Sequence, residues 1–168
     1  VTSRHLFLGI DPGKTGAFVT VDVDGELHYI ASMPLIGKDY DVDAMCSAIA
    51  AIATDVVVAC IEKSGAAAPG GVRQGGKAMF TFGEGYGMLQ GILTALHVPF
   101  YRAHPRLWQA IVPDRGASKD RAERKARIVI AAKRRWPNID IKLKKHWDRA
   151  DAAWIAEYAR LRHLQRNL

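Results

Sequence analysis

The chain has 168 residues, 49% of them apolar, which suits one domain with a real core and excludes a disordered polymer. No apolar run approaches the ~20 residues of a membrane span. The net charge of +7 is unevenly placed: residues 1–62 carry 3 basic and 9 acidic side chains, residues 115–149 carry 13 and 4. Such a basic block is the expected footprint of a polyanion site, against the alternative of a solvated helix face.

The opening VTSRHLFLG does not read as a signal peptide, because its short apolar segment runs straight into a strand. We expect strands over residues 5–10, 16–23 and 27–33, joined as an antiparallel meander with a hairpin signal at Asp24-Gly25. A helix is expected over 42–54, with Met45, Ile49 and Ile52 on one face. The apolar run 56–61 reads as a central parallel strand buried on both faces. Residues 64–87 contain APGG, RQGGK and FGEGYG and are expected to form a long loop. A second helix then runs to about His97. Gly83, Gly87 and Gly91 recur every four residues on one line, suited either to contact with another copy or to close packing within the chain. A short strand over 98–102 and a short helix over 105–112 follow. A basic helix capped by Ser118 runs through about Trp136, and the last helix covers about 148–164. The order predicts an α/β domain with a mixed sheet, spanning residues 1–168. Cys46 and Cys60 are the only cysteines and lack metal spacing, so they read as small buried side chains in a reducing compartment.

Four acidic residues stand out. Asp11 ends the first apolar run, although Asp-Pro-Gly is also a good turn. Glu62 follows VVVACI directly, and a carboxylate there needs a partner. Asp148 and Asp151 lie one turn apart at the start of the last helix, where capping and the helix dipole also explain them. Two carboxylates facing one spot repel unless a cation sits between them. Four carboxylates in a basic protein suit Mg²⁺, which takes oxygen ligands and substrate phosphates. His146 is a further candidate ligand, more ordinarily structural. Residues 71–77, GVRQGGK, match a phosphate-loop pattern, but Ala78 stands where the hydroxyl is needed, so nucleotide binding is not expected there.

The motifs GIDPGKTGA, IEKSG and HWDRADAAWIAEYA, in that order, resemble the RuvC-type Holliday junction resolvases of the RNase H-like superfamily. The intervening FGEGYGMLQGILTALHVPFYRAHPRLWQ and SKDRAERKARIVIA fit the same family, and RQGG…FGEGYG with KKHWDRADA resemble its phage and chloroplast branch. The resemblance implies an RNase H-like fold, a mixed five-stranded sheet flanked by helices. It implies a homodimeric endonuclease that resolves four-way DNA junctions by symmetric, Mg²⁺-dependent phosphodiester hydrolysis, with two ions per site and Mn²⁺ as a substitute. Asp11, Glu62, Asp148 and Asp151 would be the metal ligands. Lys119 would stand near the scissile phosphate, against the alternative of a generic surface lysine.

DNA contacts are expected from Arg73, Gln74, Lys77, Arg121, Lys125, Lys144 and Lys145. Phe80 or Phe82 would stack on bases, or sit in the core, because no aromatic follows Glu62 where bacterial relatives carry one. The expected place of action is bacterial or phage-infected cytoplasm, or an organelle if a transit peptide was removed. The competing readings are an RNase H-like nuclease for flaps, other branched DNA or RNA, and a non-catalytic junction-binding protein. An actin-like kinase, suggested by GIDPGKTGA, would need a longer chain.

Overall fold

The structure, a computed structural model, describes residues 5–63, 75–114, 116 and 120–166. Its centre is a five-stranded mixed sheet. Strand β1 (Leu6–Asp11) pairs antiparallel with β2 (Ala17–Val21), and β2 with β3 (Leu27–Ser32). On its other edge β1 pairs in parallel with β6 (Val56–Glu62), and β6 with β7 (Phe100–Ala103), giving the order β3-β2-β1-β6-β7. A small hairpin, β4 (Leu35–Ile36) and β5 (Asp39–Tyr40), turns on Gly37 at φ 61°. The sequence reading did not anticipate it, because two-residue strands leave no periodicity to detect.

Helices cover both faces. On one lie α1 (Val42–Ala50) and α2 (Gly76–Ala95), packed on Leu6, Leu8, Ile10, Phe18, Ala59 and Ile61. On the other lie α3 (Pro105–Gln109), α4 (Arg121–Arg135) and α5 (Asp148–Arg166), packed on Phe7, Val19 and Cys60. Helix α1 ends at Ala50, four residues short of expectation; Asp41 caps its start by accepting from the Ala44 N–H at 2.9 Å.

Residues 76–87 are helical, not a loop. Their glycines alternate with Met79, Phe82 and Tyr86, and the Phe82 and Tyr86 rings stack at 5.9 Å, one turn apart. Four glycines weaken helix propensity but do not forbid a helix whose later turns bury Leu89, Ile92 and Leu93. Helix α4 begins later than expected. Ser118 lies outside the described residues, and Asp120 is the cap, accepting from the Ala122 N–H at 2.8 Å.

Helix α5 lies unusually close to β1. A Cβ on Gly9 would fall 2.1 Å from the Ala152 carbonyl oxygen, so only glycine admits the helix here. The facing side of α5 is Ala150, Ala152, Ala153, Ala156 and Ala159, all buried. Two tryptophans fix α4 against α5. The Trp136 and Trp154 rings lie 4.9 Å apart, and Trp136 Nε1 donates to the Gly25 carbonyl at 2.8 Å. Both cysteines are free; Cys60 is buried, and burial pushes its thiol up to about 12.

Candidate active site

Strand alternation decides which carboxylates meet. Phe7, Gly9 and Asp11 occupy one face of β1, and Cys60 and Glu62 the matching face of β6. That face is the one α5 covers. The parallel register pairs Gly9 with Cys60 and Ile10 with Ile61, so Asp11 and Glu62 end adjacent strands at the same level. This is the carboxyl end of the parallel strands, where open α/β sheets build their sites.

Helix α5 starts over this edge. Asp148 and Asp151, one turn apart, project from its first turn toward Asp11. One carboxylate oxygen from each of Asp11, Asp148 and Asp151 lies within 4.8 Å of the other two. Glu62 stands outside this triad but interacts electrostatically with it. Its Oε2 accepts a 2.7 Å hydrogen bond from Nε1 of Trp108, a side chain only 1% exposed on α3. The sequence analysis did not single out Trp108. Its signal was a large aromatic beside the first turn of a proline-started helix, which is not distinctive.

Lys125, expected at a DNA surface, points instead into the cluster. Its Nζ donates to Asp148 Oδ1 at 2.5 Å and also to Asp151 Oδ2. Helix α4 supplies it from one turn inside its start, with Ile128 and Val129 buried just beyond.

The electrostatics are those of crowded negative charge. Burial and then Asp151 and Glu62 hold the Asp11 carboxyl well above its ordinary range, with Lys125 opposing. Burial and Asp151 push Glu62 up to about 7, against the Trp108 hydrogen bond. Burial also raises Asp151, with Lys125 countering it. Burial alone would lower the Lys125 ammonium, yet Asp151, Asp148 and Asp11 together hold it above its usual value.

A divalent cation fits this donor set. Asp151 Oδ1 is buried with no hydrogen-bond partner among the described residues, a costly arrangement that a cation would relieve. All the candidate ligands are hard oxygens, the preference of Mg²⁺. His146 is not among the grouped ligands; its buried Nδ1 also has no hydrogen-bond partner among the described residues.

Around the site, Arg121, Lys144 and Lys145 are exposed, and Arg121 acts electrostatically on Asp151. Much of the remaining basic block is committed within the fold: Arg127 to Glu123, Arg135 to Glu26 and Arg149 to Asp140. Lys119, Arg73 and Gln74 lie outside the described residues, as does the side chain of Lys77. Phe82 is half-buried against Tyr86, while Phe80 is 73% exposed.

Among solved structures, this chain superposes on Thermus thermophilus RuvC in complex with a Holliday junction substrate, with a TM-score of 0.69 over 96% of each chain. The chain has the RuvC fold. Sequence identity in that match is 15%, and a second Thermus thermophilus RuvC structure gives a TM-score of 0.68, also at 15% identity, over 95% of this chain and 96% of that one. The yeast mitochondrial Holliday junction resolvase Ydc2 is more distant, with a TM-score of 0.45 and 19% identity over 99% of this chain and 85% of that one. No family model and no curated protein matches the sequence. The mixed five-stranded sheet and flanking helices of the RuvC fold are those expected from the motifs.

Proposed function

We propose that this chain is a structure-specific endonuclease that resolves four-way DNA junctions by hydrolysing a phosphodiester in each of two strands. The observation that carries this reading is the convergence of Asp11, Asp148 and Asp151 at the carboxyl edge of a RuvC-type sheet, with Glu62 beside them. Asp11, Asp148 and Asp151 would hold Mg²⁺, or Mn²⁺ in its place, and Glu62 would complete a two-ion set. The ions supply Lewis acidity at the reacting phosphodiester. Trp108 fixes one oxygen of Glu62, and the other would be available to an ion. Lys119 would stabilise charge at the scissile phosphate. Arg73, Gln74, Lys77, Arg121, Lys144 and Lys145 would contact the DNA backbone, and Phe80 or Phe82 would stack on bases at the crossover.

A homodimer suits the substrate, because a four-way junction and a C2 pair share two-fold symmetry. Support comes from α2. Among the described residues, a Cβ at Gly83, Gly87 or Gly91 would meet nothing within 4 Å, which leaves this glycine line open to contact with another copy. Met79 and Phe80, 42% and 73% exposed, extend the same helix as an apolar surface. No helix among the described residues is long and apolar enough to cross a membrane. The expected place of action is a DNA-containing compartment, bacterial or phage-infected cytoplasm.

The test is cleavage of a four-way junction, a flap, a duplex and an RNA–DNA hybrid at one salt concentration, since phosphate binding is strongly salt-dependent. The proposal expects paired nicks in the junction and little cutting of the others. Preferential cutting of flaps or hybrid would replace it with a different branched or RNA substrate.

A further inference from the structure

Among the described residues, Lys125 is the cation whose ammonium is hydrogen-bonded to the acidic cluster. Its ammonium takes one oxygen of Asp148 and one of Asp151, so a cation on the same oxygens would be held close to a like charge. Mg²⁺ sits about 2.1 Å from its oxygen ligands, so an ion on these two oxygens would stand roughly 3 Å from the ammonium, with like charges in a partly buried site. The Lys125, Asp148 and Asp151 side chains are 22%, 25% and 15% exposed, so water screens that repulsion only in part.

We propose that Lys125 is an internal competitor of the divalent cation. It neutralises the Asp148–Asp151 pair when no ion is bound and must leave those oxygens for an ion to enter. The lysine thus trades cation affinity for stability of the metal-free fold. Lys125 sits on α4 whereas Asp148 and Asp151 sit on α5, so its side chain does not share a backbone element with the ligands it neutralises. Asp151 Oδ1, which Lys125 leaves without a partner, is the oxygen through which an incoming ion would gain its first hold. The inference rests on the metal-site reading above.

Mg²⁺ binding to the 168-residue chain, measured by calorimetry at pH 8 and fixed KCl without DNA, tests it. Lys125→Met is expected to bind Mg²⁺ about tenfold more tightly than wild type, the order of one competing charge-assisted hydrogen bond. It is also expected to melt lower in EDTA and to gain more in melting temperature from saturating Mg²⁺. Equal or weaker Mg²⁺ binding by Lys125→Met would overturn the proposal. A second measurement uses wild type alone and does not depend on how the variant folds. Labelling of lysines by an amine reagent, read by mass spectrometry, should increase at Lys125 when Mg²⁺ is added and stay constant at Lys133 and Lys142. Unchanged labelling at Lys125 under saturating Mg²⁺ would overturn it equally. If wild type shows no saturable binding of Mg²⁺ or Mn²⁺, the metal-site reading itself fails; if wild type binds and Lys125 makes no difference, only this inference fails.

Discussion

At the scale of single residues, the site is a set of carboxylates held closer together than their charges favour. Burial and mutual repulsion push Glu62 up to about 7 from an ordinary 4.5, and raise Asp11 and Asp151 in the same direction. A folded carboxyl with a raised pKa keeps a proton that the unfolded chain has already released. Stability contributed by Glu62 is therefore greatest below about pH 4.5 and is lost as pH rises toward 7, by up to about 3 kcal/mol. Denaturant titrations in EDTA at pH 5 and pH 7.5 should show this loss, Glu62→Gln should flatten it, and Mg²⁺ at pH 7.5 should reverse it. Trp108 offers a subtler test. Trp108→Phe keeps most of the buried ring but removes the 2.7 Å hydrogen bond to Glu62. A fall in junction cleavage of roughly ten- to a hundredfold is expected, the range for residues that orient a metal ligand, with little change in DNA affinity in a gel-shift assay. The four acidic residues were legible in the sequence because each sits where an apolar run ends or a helix starts. Trp108 and the inward turn of Lys125 were not, because both depend on how α3 and α4 pack across the chain onto distant elements. Asp148, which capping explained almost as well, has its Oδ1 engaged by Lys125.

At the scale of elements, one glycine sets the height of α5 above the sheet. Gly9 lies against the backbone at Ala152, directly after Asp151, and at Ala156, one turn further on. Gly9→Val must push the helix outward. It should destabilise the protein by about 3 kcal/mol or more, at or beyond the upper end of overpacking costs, measured by urea unfolding. Any folded fraction should bind Mg²⁺ poorly, because Asp148 and Asp151 move with the helix. The β1, β2, β3 and β6 strands were readable from alternation and apolar runs, which report burial directly. The start of α2 was not. Gly76, Gly83, Gly85 and Gly87 looked like loop punctuation, yet the same residues are a helix: Gly85 admits the Tyr40 ring, where a Cβ would fall 2.2 Å away, while a Cβ at Gly83 or Gly87 would meet nothing within 4 Å among the described residues. Sequence reports glycine's local cost, whereas what offsets it, such as the close approach of Tyr40 to Gly85, depends on packing between distant segments.

At the scale of the whole molecule, the asymmetry of charge has a structural sense. The acidic first third supplies Asp11 and Glu62, and the basic segment 115–149 supplies Lys125, which acts on both, and Arg121, which acts on Asp151, with Lys144 and Lys145 exposed just before α5. An acidic cluster beside a basic segment is an arrangement that can hold a polyanion and still bind cations against it. If α2 is the dimer surface, Gly87→Glu, which puts two like charges on the axis of a C2 pair, should shift light-scattering mass from about twice that of the chain toward that of one. Its Mg²⁺ affinity should not change. Single nicks in place of paired ones would accompany the monomer. The most direct measurement is Mg²⁺-dependent nicking of a synthetic four-way junction by wild type and Asp11→Asn, with junction binding followed in parallel. Wild type should nick two strands symmetrically only with Mg²⁺ or Mn²⁺, and Asp11→Asn should lose at least about a hundredfold in cleavage while still binding the junction. Cleavage by Asp11→Asn at the wild-type rate, or tight junction binding by wild type with no cleavage in either metal, would contradict the account.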